Sequence, residues 1–105
     1  MWFWGRSEAL PDEAVRDIQK KCAPVRRAYA SCLKSNQDRP EPCRGLEVRL
    51  LESYAKHCCP EDAAKFRDCY EAVFAGEVQD MSVCEPHIAA MKKCLKRKGL
   101  GYPLV

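Results

Sequence analysis

Eight cysteines are the residues with chemical potential in this chain, at positions 22, 32, 43, 58, 59, 69, 84 and 94 of 105. Two of them are adjacent, in the segment KHCCP at residues 56–60. Neighbouring thiols can close a vicinal disulfide, hold a soft metal, or belong to two structural units that meet at that point. Zinc sites place cysteines or histidines in pairs a few residues apart, as in C-x2-C, and no two cysteines here have that spacing. His57 and His87 lie near cysteines, yet neither has a serine or an acid placed for a triad. The chain also lacks a glycine-rich phosphate loop and a paired-carboxylate signature. These residues therefore predict no catalysis, no cofactor and no bound metal, and an even cysteine count suggests disulfides instead.

The spacing carries more information than the count. CAPVRRAYASC (22–32), CPEDAAKFRDC (59–69) and CEPHIAAMKKC (84–94) each hold nine residues between their cysteines, with a proline one or two places after the first. Proline suits the first turn of a helix, where its missing N–H would be unpaired anyway. Each first cysteine thus sits at or near a helix start. Ten residues advance the helix by roughly 15 Å and return to within about 80° of the starting direction, so both thiols look out from one side. That side is apolar at helical steps: Val25, Tyr29, Cys32; Ala63, Phe66, Cys69; Ile88, Met91, Cys94. Such stripes are the ordinary core of a helix pair. Arg26, Arg27, Lys65, Arg67, Lys92 and Lys93 occupy the opposite faces.

The remaining segments complete an all-helical pattern. RGLEVRLLESYAKH (44–57) repeats apolar residues at Leu46, Leu50, Tyr54 and Cys58. LPDEAVRDIQKK predicts a short separate helix with Pro11 and acids at its start, whose Val15 and Ile18 lead toward Cys22. Pro24 breaks or bends the chain there. NQDRPEP (36–42) and AGEVQDMSV (75–83) are turns by composition, and GYPLV is a short extended tail.

A chain of this length buries only a thin core and needs staples. Its net charge of +3 is mild, and no basic stretch interleaves with aromatics as in single-strand binders, so neither nucleic acid nor a small-molecule substrate is an expected partner. The four apolar residues at the N-terminus are too few for a signal-peptide core, and Glu8, Asp12 and Glu13 spoil a mitochondrial presequence. Oxidised cysteines without a cleavable signal point to the mitochondrial intermembrane space, against the competing reading of a cytosolic zinc protein.

Antiparallel hairpins narrow the 105 pairings that eight cysteines allow. Inner cysteines face each other and outer ones likewise, which gives Cys69–Cys84 with Cys59–Cys94, and Cys32–Cys43 with Cys22–Cys58. The second of these sets, that of the first hairpin, is unequally spaced, so Cys43 is expected in the turn before its helix. Exchanging Cys58 and Cys59 in this scheme is also drawable. Pro60 favours the first version, because the residue before a proline leaves helical geometry; one helix then ends near Cys58 and the next starts just after Cys59.

The paired C-x9-C segments resemble the coiled-coil-helix–coiled-coil-helix (CHCH) family over residues 22–94. The resemblance implies two tandem disulfide-stapled antiparallel helical hairpins with extended termini: an N-terminal arm with a short helix (1–21), a first hairpin (22–58), a second (59–98) and a tail (99–105). It also implies residence in the intermembrane space, peripheral on the inner membrane, and oxidation on import by a disulfide-relay oxidoreductase. Substrates of that relay present a cysteine flanked by aromatic and apolar residues, a description met by Tyr29 and Leu33 around Cys32 and by Phe66 and Tyr70 around Cys69. Within the family, tandem hairpins are similar to an accessory subunit of respiratory complex I. KHCCPEDAAKFRDC, SNQDRPEPC and CEPHIAAMKKCLKRKGLGY carry that likeness. The chain departs from it after Cys43, where a cysteine about ten residues on is missing and Cys58 takes its place. Copper chaperones for cytochrome oxidase share the C-P-E start found at Cys59-Pro60-Glu61, and respiratory-chain assembly factors are a further alternative. The implied partners are other subunits of a respiratory membrane complex. Trp2, Phe3 and Trp4 are expected to dock in a partner groove or at the bilayer interface. Lys92, Lys93, Lys96, Arg97 and Lys98 suit either solvent or acidic lipid headgroups.

Overall fold

The computed structural model describes residues 9–76 and 80–100, and every regular element among them is helical. Helix α1 spans Asp12–Lys21, with Pro11 before it, Asp12 and Glu13 in its first turn and Lys20 and Lys21 in its last. Acids at the start and bases at the end both suit the helix dipole. The chain bends at Cys22 (φ −96°, ψ 5°), which closes α1 and opens α2 at Ala23–Ser35. Pro24 in the first turn of α2 has no N–H to continue the α1 ladder, which is the break its position predicts. Asn36 ends α2, its Nδ2 donating to the Cys32 carbonyl at 2.9 Å.

A 3-10 turn at Glu41–Cys43 leads into α3, Arg44–Cys58. Cys43 accordingly lies in the turn and not in the helix. Cys59 then adopts φ −136° and ψ 59°, outside helical geometry, and α4 begins at Pro60 and runs to Phe74. Gly76, at φ 82°, terminates α4 with its N–H donating to the Val73 carbonyl. A second 3-10 turn, Met81–Cys84, is capped by the Asp80 carboxylate, which accepts from the Ser82 N–H. Helix α5 follows at Glu85–Arg97. It ends in a Schellman motif: Gly99 (φ 89°) donates to the Lys96 carbonyl and Leu100 to that of Leu95. Only glycine enters this left-handed conformation without steric cost. The motif folds Leu100 back into the core, and the Leu10 N–H donates to the Lys98 carbonyl, so the two ends of the described chain meet.

The architecture is two antiparallel hairpins, α2–α3 and α4–α5, with α1 laid against the first. One continuous core joins them, running from Ile18 and Cys22 through Leu50, Leu51, Tyr54 and Ala55 to Phe66, Ile88, Met91 and Leu95. Helix α3 is the central post, packed against α2, α4 and α5. Its doubled apolar steps, Leu50-Leu51 and Tyr54-Ala55, are fully buried because neighbours cover more than one face. The four-residue stripe read from the sequence catches Leu50 and Tyr54 but misses Leu51 and Ala55. Helix α2, by contrast, has no fully buried residue; Val25, Tyr29 and Leu33 are half-buried. Among the described residues no helix is long and apolar enough to cross a membrane.

Candidate functional site

Three disulfides hold the helices at their ends. Cys32 of α2 bonds Cys43 in the turn before α3, with a Cα–Cα distance of 5.8 Å. Cys69 of α4 bonds Cys84 in the turn before α5 at 5.9 Å. Cys59, at the head of α4, bonds Cys94 on α5 at 6.3 Å. The second hairpin thus carries both rungs of its ladder, one at each end. The bridges close loops of 11, 15 and 35 residues, worth roughly 3, 3 and 4 kcal/mol in the chain-entropy account.

The fourth expected bridge, Cys22–Cys58, is not formed: both residues are thiols, Cys22 buried and Cys58 partly exposed. The spacing explains the difference. Cys22 and Cys32 are separated by about 15 Å of helix and Cys43 and Cys58 by about 22 Å. When Cys32 and Cys43 bond at one end, the two outer cysteines fall out of step. The bend at Cys22 also turns its side chain into the core beside Ile18, where it is 2% exposed. Cys58 meanwhile donates its S–H to the Tyr54 carbonyl at 3.3 Å. Its Sγ lies 3.8 Å from that of Cys59. Burial pushes the Cys22 thiol upward from its ordinary pKa, against the opposing pull of Arg26, Lys56 and Lys21. Burial raises Cys58 as well, with Lys98 acting against it and Cys22 adding to it. Both shifts favour the protonated form and lower the thiolate fraction available at a given pH.

Among the described residues one group of metal-capable side chains converges: Cys59, Asp62 and Cys94. Its two sulfurs are already bonded to each other, so the group offers only the carboxylate as an anionic ligand. His57 is exposed at the end of α3 and His87 half-buried at the start of α5; neither joins a cluster.

Ion pairs tie the hairpins together at the surface. Arg44 at the start of α3 binds Glu85 at the start of α5 at 2.9 Å, and also reaches Glu47 at 3.2 Å. Lys92 of α5 approaches Glu47 at 4.0 Å, and Arg67 of α4 pairs with Glu52 of α3. Apart from the local Arg44–Glu47 contact, these partners lie 15 to 45 residues apart, and no local pattern in the chain announces them. Arg44 and Arg67 border a groove of about 740 Å³ whose apolar lining includes Leu46, Val48, Phe66, Tyr70, Met81 and Ile88. Tyr70 also packs edge-on against Phe74, ring centroids 4.7 Å apart, and Phe74 is 73% exposed.

Of the residues picked out for relay recognition, Tyr29, Leu33 and Tyr70 are half-buried in the folded chain and Phe66 is buried. Lys93 and Lys96 are exposed on α5. Trp2, Phe3 and Trp4 lie outside the described residues. No family model matches the chain, and searches of curated proteins and of solved structures likewise find no match.

Proposed function

We propose that the chain is a non-catalytic structural accessory subunit on the intermembrane-space face of mitochondrial respiratory complex I. The carrying observation is the two-rung ladder of the second hairpin, Cys59–Cys94 with Cys69–Cys84, built from two C-x9-C segments. It is the staple pattern expected from the resemblance to the CHCH family and, within it, to the alpha-subcomplex subunit 8 of complex I. In this reading the bridged helices act as a stiff strut. Neighbouring subunits of the complex are the partners, reached through the exposed groove and the N-terminal Trp2, Phe3 and Trp4. Lys93 and Lys96 supply positive charge toward acidic headgroups of the inner membrane, and the disulfide-relay oxidoreductase installs the bridges during import.

The thiols of Cys22 and Cys58 favour a second reading, a copper carrier serving cytochrome oxidase, since two thiolates suit a soft monovalent ion. Complexome profiling of mitochondrial membranes separates the two. Comigration with intact complex I is the expected result. A small free pool that carries copper overturns it in favour of the carrier, and comigration confined to partial assemblies overturns it in favour of an assembly factor.

A further inference from the structure

The seam between the hairpins places a thiol against a disulfide. Cys58 ends α3, Cys59 follows outside helical geometry, and their sulfurs are 3.8 Å apart while Cys59 is bonded to Cys94. The Cys94 sulfur is therefore one bond beyond an atom that Cys58 already touches. We propose that Cys58, Cys59 and Cys94 form a three-sulfur exchange centre, in which Cys94 is bridged by either of the two adjacent cysteines. The inference stands apart from where the chain docks, since it concerns only these sulfurs.

The step is an isomerisation. The Cys58 thiolate gives its electron pair to the Cys94 sulfur, the Cys58–Cys94 bond forms, and the Cys94–Cys59 bond breaks. Its electron pair leaves on Cys59, which takes up a proton equivalent to the one Cys58 released. Three bridges remain and no outside oxidant or reductant is consumed. Attack at the Cys59 sulfur would close a ring across one peptide bond at the end of a helix, so Cys94 is the productive target. The exchange moves the anchor of α5 from the head of α4 to the end of α3, which converts a rung within the second hairpin into a bond between hairpins. It also makes the longest-range staple tolerant of damage at either adjacent cysteine.

Exchange needs the thiolate. Lys98, beyond α5, favours it, whereas burial and the neighbouring Cys22 at the α1–α2 bend oppose it. Ionisation also gives up the S–H hydrogen bond that the thiol donates to the Tyr54 carbonyl. The rate is accordingly expected to rise about tenfold per pH unit below the thiol's pKa.

The test is disulfide mapping of the full-length Cys59→Ser chain. The expected map keeps three bridges, with Cys58–Cys94 replacing the lost one, and leaves Cys22 as the sole thiol. Finding Cys58 and Cys94 both free in the folded variant overturns the proposal. If the variant fails to fold, the wild-type chain decides: folded protein is held at a series of pH values, quenched in acid and alkylated. Label appearing at Cys59 at the expense of Cys58, faster at higher pH, supports exchange. Label at the seam confined to Cys58 at every pH overturns it.

Discussion

Full reduction of the three bridges, without denaturant, is expected to abolish the cooperative thermal transition and most of the far-ultraviolet helical signal. A domain of this size has a net stability of roughly 5–15 kcal/mol, and the three bridges together supply about 10 kcal/mol in the chain-entropy account. Removing them takes away most or all of the margin. The helices cannot compensate, since their 10 to 15 residues give segments that are marginal alone in water. The effect should also be ordered by loop length. Cys94→Ser removes the 35-residue closure and should cost about 4 kcal/mol, more than loss of Cys32–Cys43. Circular dichroism before and after reduction with a phosphine measures the whole effect. A reduced chain that retains native helicity and a sharp melt would contradict the staple account.

Leu51→Ala is expected to be the most damaging single change outside the cysteines, at roughly 2–5 kcal/mol. Leu51 is completely buried on α3, the helix against which α2, α4 and α5 all pack. Truncation there leaves a void that the disulfides at the helix ends prevent from closing. The melting temperature should fall by about 10–30 °C at the usual conversion for small domains. Leu33→Ala on the half-buried α2 is the matched control and should cost about 1 kcal/mol. Equal losses at the two sites, read from thermal melts, would remove α3 from the centre of the fold.

The contrast between Leu51 and the residues around it shows what a sequence makes legible. Helix starts were readable because proline has only a few tolerable places, so Pro24, Pro60 and Pro86 each mark a first turn. Equal spacing on both arms made Cys59–Cys94 and Cys69–Cys84 readable, and the turn position of Cys43 followed from the excess length before Cys58. Leu51 and Ala55 escaped because a single-stripe periodicity assumes one covered face, whereas α3 is covered on several. The expected Cys22–Cys58 bridge failed for a related reason. Hairpin pairing treats helices as straight and in step, while the chain bends at Cys22 and the two arms differ in length. Arg44–Glu85 and Arg67–Glu52 were invisible, since side chains 41 and 15 residues apart meet only after the hairpins pack.

The oxidation state at the seam links the fold to the proposed location. KHCCP is a junction in which Cys59 belongs to the second hairpin, while Cys58 keeps its thiol beside it. A protein built this way depends on a compartment that makes and preserves disulfides. The most direct measurement is therefore the thiol state of the endogenous chain, trapped by acid at the moment of cell lysis, alkylated under denaturing conditions and mapped by mass spectrometry. The account predicts two alkylated cysteines, Cys22 and one of the adjacent pair, with the other six joined in three bridges. Eight alkylated cysteines would contradict it, for both the staple and the oxidising compartment.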